Sequence, residues 1–344
     1  MTNTILREQL KTRAAWKGPD FAHDDSWIYH LSPEQIVEIE AAMAAVKSKG
    51  LPLLDVRRED FQLPEFSTAL KEILKEIQHG RGFALLRGFP AARYRVADVE
   101  LAFWGIGTHL GLPVTQNPRG HLMGHVLDEG ASYGKINVRG YQTTAHLPFH
   151  TDGGDLIGLC CLHPSKIGGK SRLVSSVTLH NEILRNHPEY LEPLYRGFQY
   201  IRREAALTDS PVTEFRLPVF GYKDGVLSTR LIRAQINAAA EKMGKPLSPL
   251  EKAALDYMGD LAQSDAIRLD MDFQVGDIQL INNYTIMHSR TDFEDWPEPE
   301  RKRHILRLWL GFREPRALPD EFPRHEGYGQ GELIEIAYRP KRVA

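Results

Sequence analysis

Residues 303–310, Arg-His-Ile-Leu-Arg-Leu-Trp-Leu, are the stretch that most limits what this chain can become. Side chains two apart on a strand share a face. Arg303, Ile305, Arg307 and Trp309 therefore fall together, and His304, Leu306, Leu308 and Leu310 fall opposite them. Two guanidinium groups thus stand on one face of an otherwise apolar strand. A buried, unpaired Arg is costly, so an Arg facing the interior of a barrel should meet an anion. Its planar fork suits a carboxylate, which it grips with two parallel hydrogen bonds.

The chain leading to that strand has 344 residues, enough for one large domain or two ordinary ones,. A formal net charge of −2 argues against a nucleic-acid protein, which should carry a basic excess,. Met1–Glu8 has no apolar signal core, and no run approaches the roughly 20 apolar residues of a membrane span,. Cys160 and Cys161 are adjacent, so on an extended strand they point to opposite faces and a mutual disulfide is not expected,. The expectation is a cytoplasmic protein with a small-molecule partner, no nucleic acid and no membrane. A homo-oligomer stays open, since no amphipathic stretch stands out as an interface.

Helix signals cluster early. Ser32, Pro33 and Gln35 form a start box, with Ile36, Ile39, Met43 and Val46 as the apolar stripe and Gly50 as the stop,. Further helices are expected over 65–78 and 96–110, with a buried strand at 83–87 between them. Residues 111–147 lack periodicity and carry Gln116, Gln142 and His146 among other polar groups, which reads as a functional loop or cover,. Strands are expected at 156–162, 171–175, around 198–202 and 217–220, at 267–273 and at 278–283. Tyr222–Val226 reads as a turn, a helix is expected near 179–186, and two more lie near 231–262. Strands late and helices early suggest an α+β protein with an antiparallel sheet or barrel and helices packed outside. A doubly wound sheet would alternate strand and helix throughout.

Within that order lies Leu147-Pro148-Phe149-His150-Thr151-Asp152, where His150 and Asp152 share a face in extended backbone,. A nitrogen and a carboxylate oxygen so placed suit adjacent positions on one metal ion. A second histidine would complete the two-His-one-carboxylate face of non-haem Fe(II). His-x-Asp arises by chance about once in a chain of this composition, and His23-Asp24-Asp25 is a rival. His288, which closes an apolar segment and opens a polar loop before Arg303, is the candidate third ligand.

Phe149-His150-Thr151-Asp152, Gly168-Gly169-Lys170-Ser171, Gly276-Asp277 with Asn283 and His288, and then Arg303 and Arg307 together resemble the taurine dioxygenase-like (TauD/TfdA) family, including its clavaminate-synthase-like members. These are Fe(II)- and 2-oxoglutarate-dependent oxygenases, and the resemblance covers roughly residues 80–315. It implies a mainly β core, a double-stranded β-helix (jelly roll) with flanking helices. One catalytic domain would span 1–344: an N-terminal helical extension (1–80), the core (80–315, with a helical insertion near 231–262) and a tail (316–344). It implies iron on His150, Asp152 and His288, and the distal carboxylate of 2-oxoglutarate on Arg303. A hydroxyl after the Gly-Gly turn shares that carboxylate; the family often has Thr there, and this chain has Ser171. Arg307 would contact an anionic group of the substrate, with Gln142 and His146 as further candidate contacts.

The implied reaction uses O2 and 2-oxoglutarate, releases succinate and CO2, and oxidises an unactivated C–H of a small anionic substrate such as an amino acid or organic acid. Hydroxylation is the expected outcome, with desaturation or cyclisation as known departures. Halogenation is disfavoured, because related halogenases lack the carboxylate that Asp152 supplies. Two alternatives stay open at this stage: a non-catalytic jelly-roll binding protein with a degenerate metal site, and a metal-dependent hydrolase. The hydrolase leaves Arg303 and Arg307 unexplained and offers no obvious general base.

Overall fold

Ser32 and Gln35 start the first helix as their spacing predicts. The Gln35 N–H donates to Ser32 Oγ at 3.3 Å, and the Ser32 N–H donates to Gln35 Oε1 at 3.0 Å. Pro33 follows with no N–H to satisfy, and such a cap stabilises a helix by about 1 kcal/mol,. The structure is a computed structural model that describes residues 4–117, 120–128, 143–201, 211–314 and 316–322. Its early helices are α1 (Pro33–Ser48), α2 (Phe66–His79) and α3 (Val96–Leu110). Around them run the strands β1 (Ile28–His30), β2 (Phe83–Arg87), β3 (Leu112–Pro113) and β4 (Met123–Val126).

Next come β5 (Leu147–His150), β6 (Leu156–His163), β7 (Ile167–Gly168) and β8 (Ser171–Ser175), then α4 (Ser176–Asn186) and α5 (Leu191–Arg196). A hairpin of β9 (Phe220–Lys223) and β10 (Val226–Thr229) precedes α6 (Arg233–Met243) and α7 (Pro249–Gln263). The last strands are β11 (Leu269–Met271), β12 (Ile278–Asn282), β13 (Ile286–Arg290), β14 (Phe293–Glu294) and β15 (His304–Gly311).

Two sheets result. The larger has the order β1-β2-β12-β6-β15-β3, with β4 also pairing β15, and only β1 and β2 run parallel. The smaller has the order β11-β8-β13-β5 and is antiparallel throughout. Their inner faces meet through Phe83, Ile157, Ile281 and Trp309 on one side and Leu173, Met271 and Ile286 on the other. Helices α1–α3 cover the outer face of the large sheet, and α4–α7 pack against Phe149, Val174 and Met287 on the outer face of the small one. The period-2 reading of β15 holds: Leu306, Leu308 and Leu310 face the α1–α3 layer, and Trp309 faces the inter-sheet core. Fully burying each of those leucines contributes about 1.5–3 kcal/mol, which fixes the strand's facing.

Three local expectations shift. Strands at 198–202 and 217–220 reduce to isolated bridges, Phe198 to Leu217 and Ile201 to Val212. The strands lie instead on either side of Asp224 and Gly225, whose φ of 51° and 81° make the tight turn that a two-residue hairpin demands,. The strand expected over 267–273 pairs only over Leu269–Met271, and α5 was not anticipated. The Gly276-Asp277 pair proves structural. A Cβ at Gly276 would lie 1.8 Å from the Phe89 carbonyl oxygen, and buried Asp277 accepts two hydrogen bonds from Arg87, at 2.9 and 2.7 Å. Cys160 and Cys161 are both buried and free.

Candidate metal centre and anion pocket

Strand pairing builds the centre. β13 runs antiparallel to β5 with His288 directly opposite His150, so the two rings face each other with centroids 4.3 Å apart. His150 Nδ1 lies 2.9 Å from the Pro148 carbonyl oxygen, and the proton this contact requires leaves Nε2 as the lone-pair nitrogen,. Asp152 sits two residues beyond the strand, with Oδ1 3.8 Å from His150 Nε2 and Oδ2 3.7 Å from His288 Nε2. The ligand atoms of these three residues all lie within 4.8 Å of one another, the only such group of His, Cys, Asp and Glu among the described residues.

Electrostatics favour the ligating forms. Burial pushes His150 down to about 3, so its imidazole stays neutral,. Burial acts to raise the Asp152 carboxyl, but the Arg307 guanidinium foremost outweighs it and holds the group well below the carboxylate range. Arg307 Nη1 donates to Asp152 Oδ2 at 3.2 Å and the Trp309 indole N–H donates to the same oxygen at 3.1 Å. Two imidazoles beside an anionic carboxylate form a donor set that fits a divalent ion such as Fe(II),. His288 Nδ1 is buried with no partner.

Arg303 lies just before β15, 6% exposed, and its guanidinium makes no hydrogen bond or ion pair among the described residues. Burial lowers its pKa to about 10. Its guanidinium carbon lies 5.4 Å from the Phe293 ring centre, and that of Arg290 lies 4.6 Å from the same ring. The Gly168-Gly169 turn, with φ of 71° and 68°, closes on Arg303: a Cβ at Gly169 would stand 3.3 Å from Arg303 Nε. A polar cavity of about 220 Å³ opens here, lined by Lys166, Gly168, Gly169, Lys170, Phe273 and Arg303. Asp295, which accepts the Arg303 backbone N–H at 2.7 Å, is an anion close by, but a buried guanidinium with no hydrogen bond or direct ion pair among the described residues, beside a cavity, fits a carboxylate ligand.

Ser171 is buried at the start of β8, where its hydroxyl contacts the Gln279 side-chain amide at 3.0–3.1 Å. His146 lies just before β5 and contacts Gln263 of α7 at 3.1 Å. Gln142 lies outside the described residues. Arg307, besides reaching Asp152, donates through Nε to Gln116 Oε1 at 2.9 Å. The rival His23 is exposed, and Asp24 caps the Ser26 N–H at 2.8 Å.

Several contacts escaped sequence reasoning. Trp309 was placed on the correct face but given no role. Gln116 and Gln279 reach their partners across 191 and 108 residues, and nothing local announces that. Arg290 had a signal: it follows His288 by two residues on the same strand and shares its face,. It donates to the carbonyl oxygens of Thr143 and Ala145 and so steadies the approach to β5.

The profile of the family described as "Taurine catabolism dioxygenase TauD, TfdA family" matches residues 47–309. Over 329 residues the chain is 30% identical to FR-33289 synthase of Streptomyces rubellomurinus, covering 93% of this chain and 96% of that one. It is 31% identical over 318 residues to the taurine hydroxylase-like protein SAT17 of Stachybotrys chartarum, covering 88% and 80%. An asparagine oxygenase solved with Fe(II), 2S,3S-3-hydroxyasparagine and succinate superposes with a TM-score of 0.65 at 14% identity, covering 83% of this chain and 93% of that one. The non-heme iron oxygenase OrfP, solved with Fe, succinate and (3S)-hydroxy-L-Arg, gives 0.62 at 16% identity, covering 83% and 94%.

Proposed function

Because the chain belongs to the TauD, TfdA family of dioxygenases, we propose that it is an Fe(II)- and 2-oxoglutarate-dependent oxygenase that hydroxylates a small anionic substrate. In this reading the two stacked sheets are the family's double-stranded β-helix. His150, Asp152 and His288 hold the iron, and Arg303 with Ser171 receives the distal carboxylate of 2-oxoglutarate. The iron supplies the oxygen chemistry, in which O2 and 2-oxoglutarate yield succinate, CO2 and one oxygen atom delivered to a substrate C–H. The chain binds, orients and excludes water.

The observation that carries this reading is the pairing of a His-Asp-His cluster with Arg303, a buried guanidinium that makes no hydrogen bond or direct ion pair among the described residues. A metal-dependent hydrolase would have no use for that cation. Arg303, just before β15, and Arg307 on it are four positions apart, a rise of about 13 Å in extended backbone,. The two guanidinium groups can therefore serve opposite ends of a site, one for the co-substrate and one near the metal carboxylate.

For the primary substrate we favour an amino acid or related organic acid. The asparagine oxygenase and OrfP structures hold hydroxylated amino acids, and Arg307 is a cation beside the metal cluster that suits a substrate anion. Gln142 and His146 are the further candidate contacts. Purified protein given Fe(II) and 2-oxoglutarate without oxygen should develop a weak visible charge-transfer band. On admitting oxygen, a panel of small acids should reveal one that stimulates release of succinate and CO2. Protein that binds Fe(II) yet shows neither response overturns the reading.

A further inference from the structure

We propose that Asn283 is the positioning residue that sets metal affinity at this centre, acting through the backbone that carries Asp152. The proposal rests on the reading of His150, Asp152 and His288 as ligands. Asp152 belongs to no helix or strand, so the ladder that aligns His150 with His288 does nothing for the carboxylate. Asn283 does that work. Its Oδ1 accepts from the Asp152 N–H at 2.8 Å, and its Nδ2 donates to the carbonyl oxygens of Asp152 at 2.8 Å and Gly154 at 2.7 Å. Its own N–H donates to the Asp155 carbonyl oxygen at 2.9 Å.

Both amide protons and the amide oxygen of Asn283 are thus spent on one four-residue loop, in a side chain only 5% exposed. Asp cannot donate to those carbonyls, and Gln is one methylene too long for the same three contacts. Asn283 also sits in the connection between β12 and β13, five residues before His288. One side chain therefore couples the loop of one ligand to the strand that delivers another. The far side of the loop is closed as well, since a Cβ at Gly154 would lie 3.0 Å from Trp309 Cβ. Partners that orient ligands in this way commonly govern metal affinity.

The neighbouring residue supplies a matched control. Asn282 is also buried and also spends its amide on backbone, donating to the Ile77 carbonyl oxygen at 3.0 Å and accepting from the Tyr284 N–H at 3.0 Å. The first reaches α2 and the second stays within the β12–β13 connection, and neither touches the loop that carries Asp152. The test titrates Co(II) alone into the full-length protein and its Asn283→Asp, Asn283→Ser and Asn282→Ser variants, well below each melting transition. We expect both Asn283 variants to bind Co(II) about 10- to 100-fold more weakly with an altered visible spectrum, and Asn282→Ser to melt earlier with unchanged Co(II) affinity. Amide exchange supplies a readout without a variant: in metal-free wild-type protein the Asp152 N–H should already be protected. Wild-type affinity in the Asn283 variants, an equal loss in Asn282→Ser, or rapid exchange at Asp152 overturns the proposal while leaving the metal centre standing. Failure of the wild type to bind Co(II) removes the centre and the proposal together.

Discussion

Arg307 Nη1 lies 3.2 Å from Asp152 Oδ2, so the cation nearest the metal cluster is bound to the cluster's own carboxylate. Trp309 adds a second donor to the same oxygen, leaving Oδ1 as the oxygen without these donors. Removing the charge should therefore be felt at the metal as well as at any substrate. In Arg307→Gln the burial that raises Asp152 is opposed by less, so its proton competes with metal at higher pH. Between about pH 7 and 5, Co(II) affinity should fall more steeply in the variant than in the wild type. Parallel profiles would show that Arg307 does not set the charge state of Asp152. If Arg307 also meets the substrate anion, the variant's KM for substrate will rise more than its KM for 2-oxoglutarate.

Arg303 gives a prediction with two opposite signs. A buried guanidinium with no direct ion pair among the described residues, attracted only at a distance by Asp295, destabilises the ligand-free protein, so Arg303→Met should raise its unfolding free energy by about 0.5–2 kcal/mol,. The same change removes a charge-assisted contact to the co-substrate worth about 2–5 kcal/mol, which weakens 2-oxoglutarate binding by roughly 30-fold or more. Denaturant unfolding with and without 2-oxoglutarate reads both effects. A variant less stable than wild type in the absence of ligand would mean that Arg303 has a structural partner.

What was legible in the sequence follows the range of the interaction that encodes it. The Ser32–Gln35 box and the alternation along β15 act over a few residues, and each appears where expected. His150 and Asp152 were legible from their shared face in an extended segment, and His288 from its place before Arg303; it sits in the middle of β13 and not at the mouth of a loop as expected, and register brings it opposite His150. The contacts that tune them were not, although Asn283 and Gln116 were both noted as residues. Asn283 meets Asp152 across 131 residues and Gln116 meets Arg307 across 191, and an Asn or Gln in a loop looks the same whether it faces water or a buried carbonyl. The Gly276-Asp277 pair shows the reverse case. It contributes to a functional resemblance, yet its contacts are a tight backbone approach and an ion pair with Arg87.

Gly169 should be the residue through which the β7–β8 turn acts on Arg303. Its φ of 68° strains any other residue, and an added Cβ would stand 2.4 Å from Ser165 Oγ as well as 3.3 Å from Arg303 Nε. Gly169→Ala should cost about 1–2 kcal/mol of stability. It should weaken 2-oxoglutarate binding while leaving Co(II) affinity unchanged, since nothing in the turn touches a metal ligand. Equal losses of both would show that the turn supports the whole sandwich and not the anion pocket in particular.

His180 gives the protein a pH dependence remote from the proposed site. It is fully buried on α4, with Nε2 3.0 Å from the Tyr195 hydroxyl and its ring set edge-on 5.2 Å from that of Phe220. Burial pushes its pKa down to about 4. The unfolded chain, with an ordinary histidine near 6.5, takes up the proton first as pH falls. Its contribution is thus fully present above about pH 6.5 and is lost progressively toward pH 4, by up to about 3 kcal/mol in all. His180→Gln keeps a side-chain partner for Tyr195 and removes the titration. Urea unfolding at several pH values between about 7 and 5 should show a shallower slope in the variant than in the wild type. An unchanged slope would mean that His180 does not stay neutral in the folded protein and that other groups carry the acid sensitivity.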